Sequence, residues 1–223
     1  MRRCVVESVK KVFNKIPPMP TKTIVLWWVC RGALLVWGLI GLFQGYTSEF
    51  LEAMFAIAFT HLWDLFQIWG GKSFIVQMPY QFQTDLNLFI VLGICVGSTL
   101  NNRTDFTGSD IFTHFFAGLI SARWCAELLV IMQNKKQTKI APAIAAMGGL
   151  GLALGISVGW EIYEFTMDRL YGFTLQQSSP FNELGLIDTM TDFIISAAGA
   201  LAGMFFFIGH VIREHKKEED AYE

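Results

Sequence analysis

IFTHFFAGLISARWCAELLVIM, residues Ile111–Met132, is a 22-residue apolar run. About 20 such residues, at ~1.5 Å of helix rise each, cross the hydrocarbon of a bilayer. The run is not wholly apolar, because it carries His114, Arg123 and Glu127, and Asp110 stands immediately before it. An ionisable group inside a membrane segment costs roughly 2.5 kcal/mol or more, so each needs a partner or a task.

Working outward, the same pattern occurs twice more. Glu161 and Glu164 lie three residues apart near the end of one apolar run, and Asp188 and Asp192 lie four apart at the start of the next. These spacings put both members of each pair on one helical face. Hydropathy assigns six spans, at about 24–45, 50–69, 86–100, 111–132, 141–165 and 187–209. The expected fold is an all-α polytopic transmembrane helical bundle, with residues 23–210 as its membrane domain. Composition agrees: 53% hydrophobic residues against 16% charged is too apolar for an ordinary soluble domain. A net charge of −2 gives no basic bias towards nucleic acid.

The ends of the chain have their own chemistry. Residues 1–22 read as a basic amphipathic segment on the membrane surface, with Val5, Val6, Val9 and Phe13 beside Lys10 and Lys11, ended by Pro17 and Pro18. The apolar run Ile24–Phe43 is followed by QGYTSEF, without a small-x-small cleavage pattern, so it is expected to remain as a helix. Residues 211–223 form a charged tail. With the N-terminus inside, 13 Lys and Arg fall on the inner side and only Arg103 and Arg169 on the outer side. Both termini are therefore expected in the cytoplasm of a multi-pass inner-membrane protein.

That topology brings Asp110, His114, Glu161, Glu164, Asp188 and Asp192 within about 10 Å of the outer boundary, at ~1.5 Å per residue. Crowded carboxylates in low dielectric need a counter-charge, and a divalent cation supplies one. Oxygen ligands with one imidazole suit Mg, Mn, Fe or Zn. All six are candidate metal ligands, and His114, Glu164 and Asp192 are candidate catalytic groups. A structural alternative is that Asp110 and Asp188 merely cap the helices they begin. Glu49 and Glu52 could join the site, or be solvated end charges. His61 with Asp64, and Arg123 with Glu127, read as structural ion pairs. Trp27, Trp28, Trp63, Trp69 and Trp160 read as packing. The four cysteines show no metal or disulfide spacing.

Small residues give the helices their contacts. Below the polar groups, Gly118, Ser121 and Cys125 continue one stripe, and Ser196, Gly199 and Gly203 continue another, as a close helix–helix interface requires. Gly151, Gly155 and Gly159 form a third such stripe, expected to pack tightly on the side away from the two glutamates.

The runs DFTGSDIFTHFFAGL, WEIYEF and DTMTDFIISAAGALAG, in that order, resemble the YjdF-type bacterial inner-membrane proteins over roughly Asn87 to Gly203. The resemblance implies a shared architecture and makes the six residues named above the motif positions, but implies no reaction. The chain departs from the pattern at Ser109, where an aromatic is expected, and at VGSTL, where a Gly-Glu is expected. The DTMTD run distantly resembles the Asp-rich motifs of membrane prenyl and phosphoalcohol transferases, whose companion motifs are absent.

Three functions compete. One is a metal-dependent enzyme acting on a lipid or lipid-linked substrate near the outer leaflet. Another is a cation- or proton-coupled transporter, although the inner halves of the last three spans are poor in polar groups and no inverted repeat is evident. The third is an accessory membrane protein with a structural cation site.

Overall fold

The computed structural model describes residues 19–69, 78–104, 108–172, 175–176 and 183–220. The expected basic segment at 1–22 lies almost wholly outside these, as does the end of the tail. Among the described residues every regular element is helical. Four helices are long and apolar enough to cross a membrane: Thr21–Phe43, Gly108–Lys135, Pro142–Leu170 and Glu183–Glu214.

The first of these, α1 (Thr21–Phe43), ends at a turn in which Gly45 takes φ +90°. That conformation favours a residue without Cβ. The turn lets α2 (Thr47–Phe59) fold back on α1, with Gly38 against Ala53 and Gly41 against Glu49.

The expected second span, 50–69, is not one helix. It divides at Thr60 and His61 into α2 and α3 (Leu62–Trp69). Thr60 turns its hydroxyl back onto the Ile57 carbonyl, and the Arg31 guanidinium takes the Thr60 carbonyl at 2.8 Å. A side chain from another helix thus satisfies a backbone group that the next turn would have used.

The expected third span, 86–100, is the middle of a longer helical rod. The rod begins as α4 (Tyr80–Ile90), widens into a π-helix over Val91–Ser98 and closes as α5 (Thr99–Arg103). Each piece is shorter than a span. Gly93 in the π segment faces Thr113, so the wide turn lies against the helix carrying the acidic and His pairs.

That helix is α6 (Gly108–Lys135), followed by α7 (Pro142–Tyr171) and α8 (Glu183–Asp220). Pro142 starts α7 at a position that needs no backbone N–H. Gly172, at φ +68°, ends it in the left-handed region, with its N–H on the Asp168 carbonyl. The charged tail continues α8 to Asp220.

The small-residue stripes of α6 and α8 meet as expected. A Cβ on Gly118 would strike the Ser196 carbonyl, one on Gly199 the Phe115 carbonyl, and one on Gly203 the Leu119 carbonyl. Ala122 completes the α6 contact face, while Ser121 and Cys125 are only half-buried beside it. The stripe of α7 behaves otherwise. Gly151, Gly155 and Gly159 have nothing within 4 Å of a built Cβ and face away from the bundle. The inward face of α7 is instead Gly149, Ala153, Ser157, Glu161, Glu164 and Asp168. Gly149 packs on Ala122 and Ala126. Glycines every fourth residue permit close approach, but the carboxylates need a protein interior more than the glycines do.

Candidate metal centre

The start of α6, the end of α7 and the start of α8 lie together at one end of the bundle. His114, at 5% exposure, sits among them with Nε2 3.5 Å from Asp110 Oδ1 and 3.6 Å from Asp192 Oδ2. Its other ring nitrogen, Nδ1, is 3.3 Å from the buried Ser196 hydroxyl. The ring is therefore held by α8 on one edge and turned towards the carboxylates on the other.

Glu161, Glu164 and Asp192 face each other across α7 and α8 and are all buried. One ligand atom from each lies within 4.8 Å of the other two, and the same holds for Asp110, His114 and Asp192. Carboxylates at that separation repel by about 3 kcal/mol or more per ionised pair at an effective dielectric near 20. Trp160 donates its indole N–H to Glu164 Oε1 at 2.8 Å, so this tryptophan has a role beyond packing. Asp188 completes the cluster. It lies five positions after the start of α8 at Glu183, beyond the first turn, so capping does not account for it. Asp110 lies in the first turn of α6, two residues after Gly108.

Unpaired oxygens distinguish this cluster from a self-satisfied polar core. Among the described residues, seven buried side-chain N and O atoms have no hydrogen-bond partner. Four of the seven are carboxylate oxygens of the cluster: both of Glu161, one of Asp188 and one of Asp192. Buried polar groups are nearly always paired, and a buried carboxylate without donors needs a cation or a proton. Five of the six expected residues thus fall in the two ligand groups, and Asp188 lies near enough to Asp110, Glu161 and His114 to interact with their charges.

Several neighbours correct the sequence reading. Glu49 is fully buried, not solvated, and forms an ion pair with Arg103 at 2.6 Å. Its hydrogen bond holds the Arg103 guanidinium above its ordinary pKa. Glu52 accepts from Ser98 at 2.9 Å. Neither carboxylate belongs to the two ligand groups, so both serve the packing of α2 on the helical rod. Arg123 does not pair with Glu127. It reaches Asp85 at 3.4 Å and stacks over Trp124, while Glu127 faces His210 at 4.0 Å. His61 and Asp64 do pair, at 2.9 Å, on an exposed surface.

Sequence reasoning missed Asp168 and Ser196. Asp168 is buried and accepts the backbone N–H of Leu175 and Gln176, tying these two residues to the end of α7. Its signal was the spacing: Glu161, Glu164 and Asp168 follow i, i+3, i+7. Ser196 was read only as a small interface residue. A hydroxyl one turn beyond Asp192 was the available clue.

A protein-family model described as "Predicted membrane protein (DUF2238)" matches residues 23–213. No curated protein and no solved structure matches the chain.

Proposed function

The chain belongs to the DUF2238 family of predicted membrane proteins, the family of the YjdF-type proteins, and we propose that its six-residue cluster binds a divalent cation for catalysis at the outer membrane boundary. The family match takes in α1 to α3, which lie outside the stretch that carries the motif resemblance. The observation that carries the proposal is the buried Glu161 carboxylate with neither oxygen hydrogen-bonded, beside one such oxygen each on Asp188 and Asp192, the latter 3.6 Å from His114 Nε2.

Oxygen donors with one imidazole fit Mg, Mn, Fe or Zn. A cation there polarises a phosphate or ester oxygen or activates water. The substrate class that reaches this depth is a lipid or lipid-linked molecule. His114, Glu164 and Asp192 are the groups assigned to catalysis. His114 or a spare carboxylate moves the proton, and Ser196 and Trp160 hold the ring and Glu164 in place. The Lys and Arg bias puts both termini in the cytoplasm of an inner membrane and the cluster outward.

A second reading, cation- or proton-coupled transport, draws on one further observation. Gln83 and Asn87 are fully buried polar residues joined by a 2.6 Å hydrogen bond. The other described bonds of Gln83 run to Phe59 and Trp63, Asn87 Nδ2 has none, and no described bond joins the pair to the cluster, which favours the enzyme.

The test uses sealed membrane vesicles of known sidedness, loaded with Mn and treated with an impermeant chelator. Metal content of the purified protein should be stoichiometric in inside-out vesicles and lost in right-side-out ones, and Glu164→Ala and Asp192→Ala should abolish it. Incubation of the loaded protein with a polar-lipid extract should then alter a lipid detectable by mass spectrometry. Absence of metal throughout overturns the cation site. Bound metal with an unchanged lipid profile overturns the lipid enzyme and favours transport.

A further inference from the structure

We infer that the cluster holds two divalent cations bridged by the Asp192 carboxylate. The inference rests on the metal-site reading above and specifies its stoichiometry.

The ligand atoms do not converge on a single point. They fall into two groups, Asp110–His114–Asp192 and Glu161–Glu164–Asp192, each with its atoms mutually within 4.8 Å, and Asp192 is the one residue they share. The first group lies between α6 and α8, the second between α7 and α8. One ion with ligand bonds of about 2.1 Å spans at most about 4.2 Å between opposite ligand atoms. Each group therefore contracts around an ion with small side-chain movements, whereas the five residues as placed offer no common set of ligand atoms within 4.8 Å. A carboxylate has two oxygens, so Asp192 can give one to each ion. Paired catalytic metals sit about 3.5–4 Å apart, a distance suited to such a bridge.

An ion in the first group would leave the second unsatisfied. Glu161 is 4% exposed, and neither of its oxygens makes a hydrogen bond of good geometry among the described residues, the Thr189 hydroxyl being the one donor near it. Charge leads to the same result. Asp110, Glu161, Glu164, Asp188 and Asp192 carry five negative charges when ionised; one dication leaves three, and two leave one. A residue of one is far easier to hold at a membrane boundary than a residue of three.

The two positions differ in chemistry. His114 gives the first an imidazole, which favours Mn, Fe or Zn, while the second is wholly carboxylate and suits Mg or Mn. Mn fits both and reports on its neighbours magnetically.

The deciding experiment titrates Mn(II) into the detergent-purified full chain, then reads bound metal by elemental mass spectrometry and its electron paramagnetic resonance. Two Mn per chain with a spin-coupled signal are expected. His114→Ala and Glu161→Gln should each retain one Mn with an uncoupled signal, in variants that elute like the parent. One Mn per chain in the parent overturns the pair and leaves the single-ion reading standing. Two Mn without coupling overturns the Asp192 bridge. No binding of Mn, Mg, Fe or Zn overturns both readings. The parent alone decides the stoichiometry, so a variant that fails to fold does not rescue the inference.

Discussion

The two halves of this bundle rely on the same means in different proportion. In the first, α1 to α5, α2 lies close on α1 at Gly38 and Gly41, but polar side chains make the other ties between segments. Trp27 donates to Thr84 at 3.0 Å, Trp37 to Thr99 at 2.8 Å, Trp63 to the Met78 carbonyl at 2.9 Å, and Arg31 to Thr60 at 3.0 Å. In the second, α6 to α8, the backbones themselves touch at Gly118, Gly149, Gly199 and Gly203, around a core of Ala122, Ala153 and Ala200. Within a membrane there is little hydrophobic force between helices, so close packing and interhelical hydrogen bonds are the two available means. The cluster is built on the half that uses close packing. A carboxylate on a helix whose backbone is fixed against its neighbour has only its own short side chain left to adjust, which favours a preorganised site.

Three substitutions probe this contrast. The largest effect is expected from Gly199→Leu. A side chain there meets the Phe115 backbone, which has no flexible end to yield, so α6 and α8 must separate. Overpacking typically costs about 1–3 kcal/mol, and a clash with backbone falls at the upper end. A sharp fall in thermal midpoint and loss of bound metal should follow; an unchanged midpoint would show that backbone contact is not what holds this half. Trp27→Phe is intermediate. It removes one interhelical hydrogen bond, worth about 1 kcal/mol, and should lower the midpoint slightly while leaving metal binding intact. Metal loss in that variant would mean that the two halves are coupled and the contrast is false. Gly155→Ala should have the smallest effect. It has open space around it, and alanine gains up to about 1 kcal/mol of helix propensity, so the midpoint should hold or rise. A fall would show that another molecule covers this face in the assembled protein.

Legibility differed between the halves for the same reason. The pairs of α6, α7 and α8 could be read because each sits on one helix at a spacing that fixes a common face: Asp110 with His114, Glu161 with Glu164, Asp188 with Asp192. The small-residue stripes of α6 and α8 were equally local. In the first half the decisive contacts join residues far apart in the chain. Glu49 and Arg103 are separated by 54 positions, and nothing near Glu49 marks it as buried. The break at Thr60 depends on Arg31, a helix away, so hydropathy alone gave one continuous span. The Gly151–Gly155–Gly159 stripe misled because its spacing describes a face that can pack closely, without saying that a neighbour is present.

Composition and hydropathy determined the helical membrane architecture, because a chain this apolar must satisfy its backbone internally. Residue spacing determined which acidic and imidazole groups share a helical face. Tertiary structure alone decided that the three faces meet, that α7 turns its carboxylates inward and its glycines out, and that Asp192 lies between two ligand groups. Those outcomes depend on how helices cross and rotate against one another. That rotation is set by contacts between distant segments, which a linear pattern does not contain.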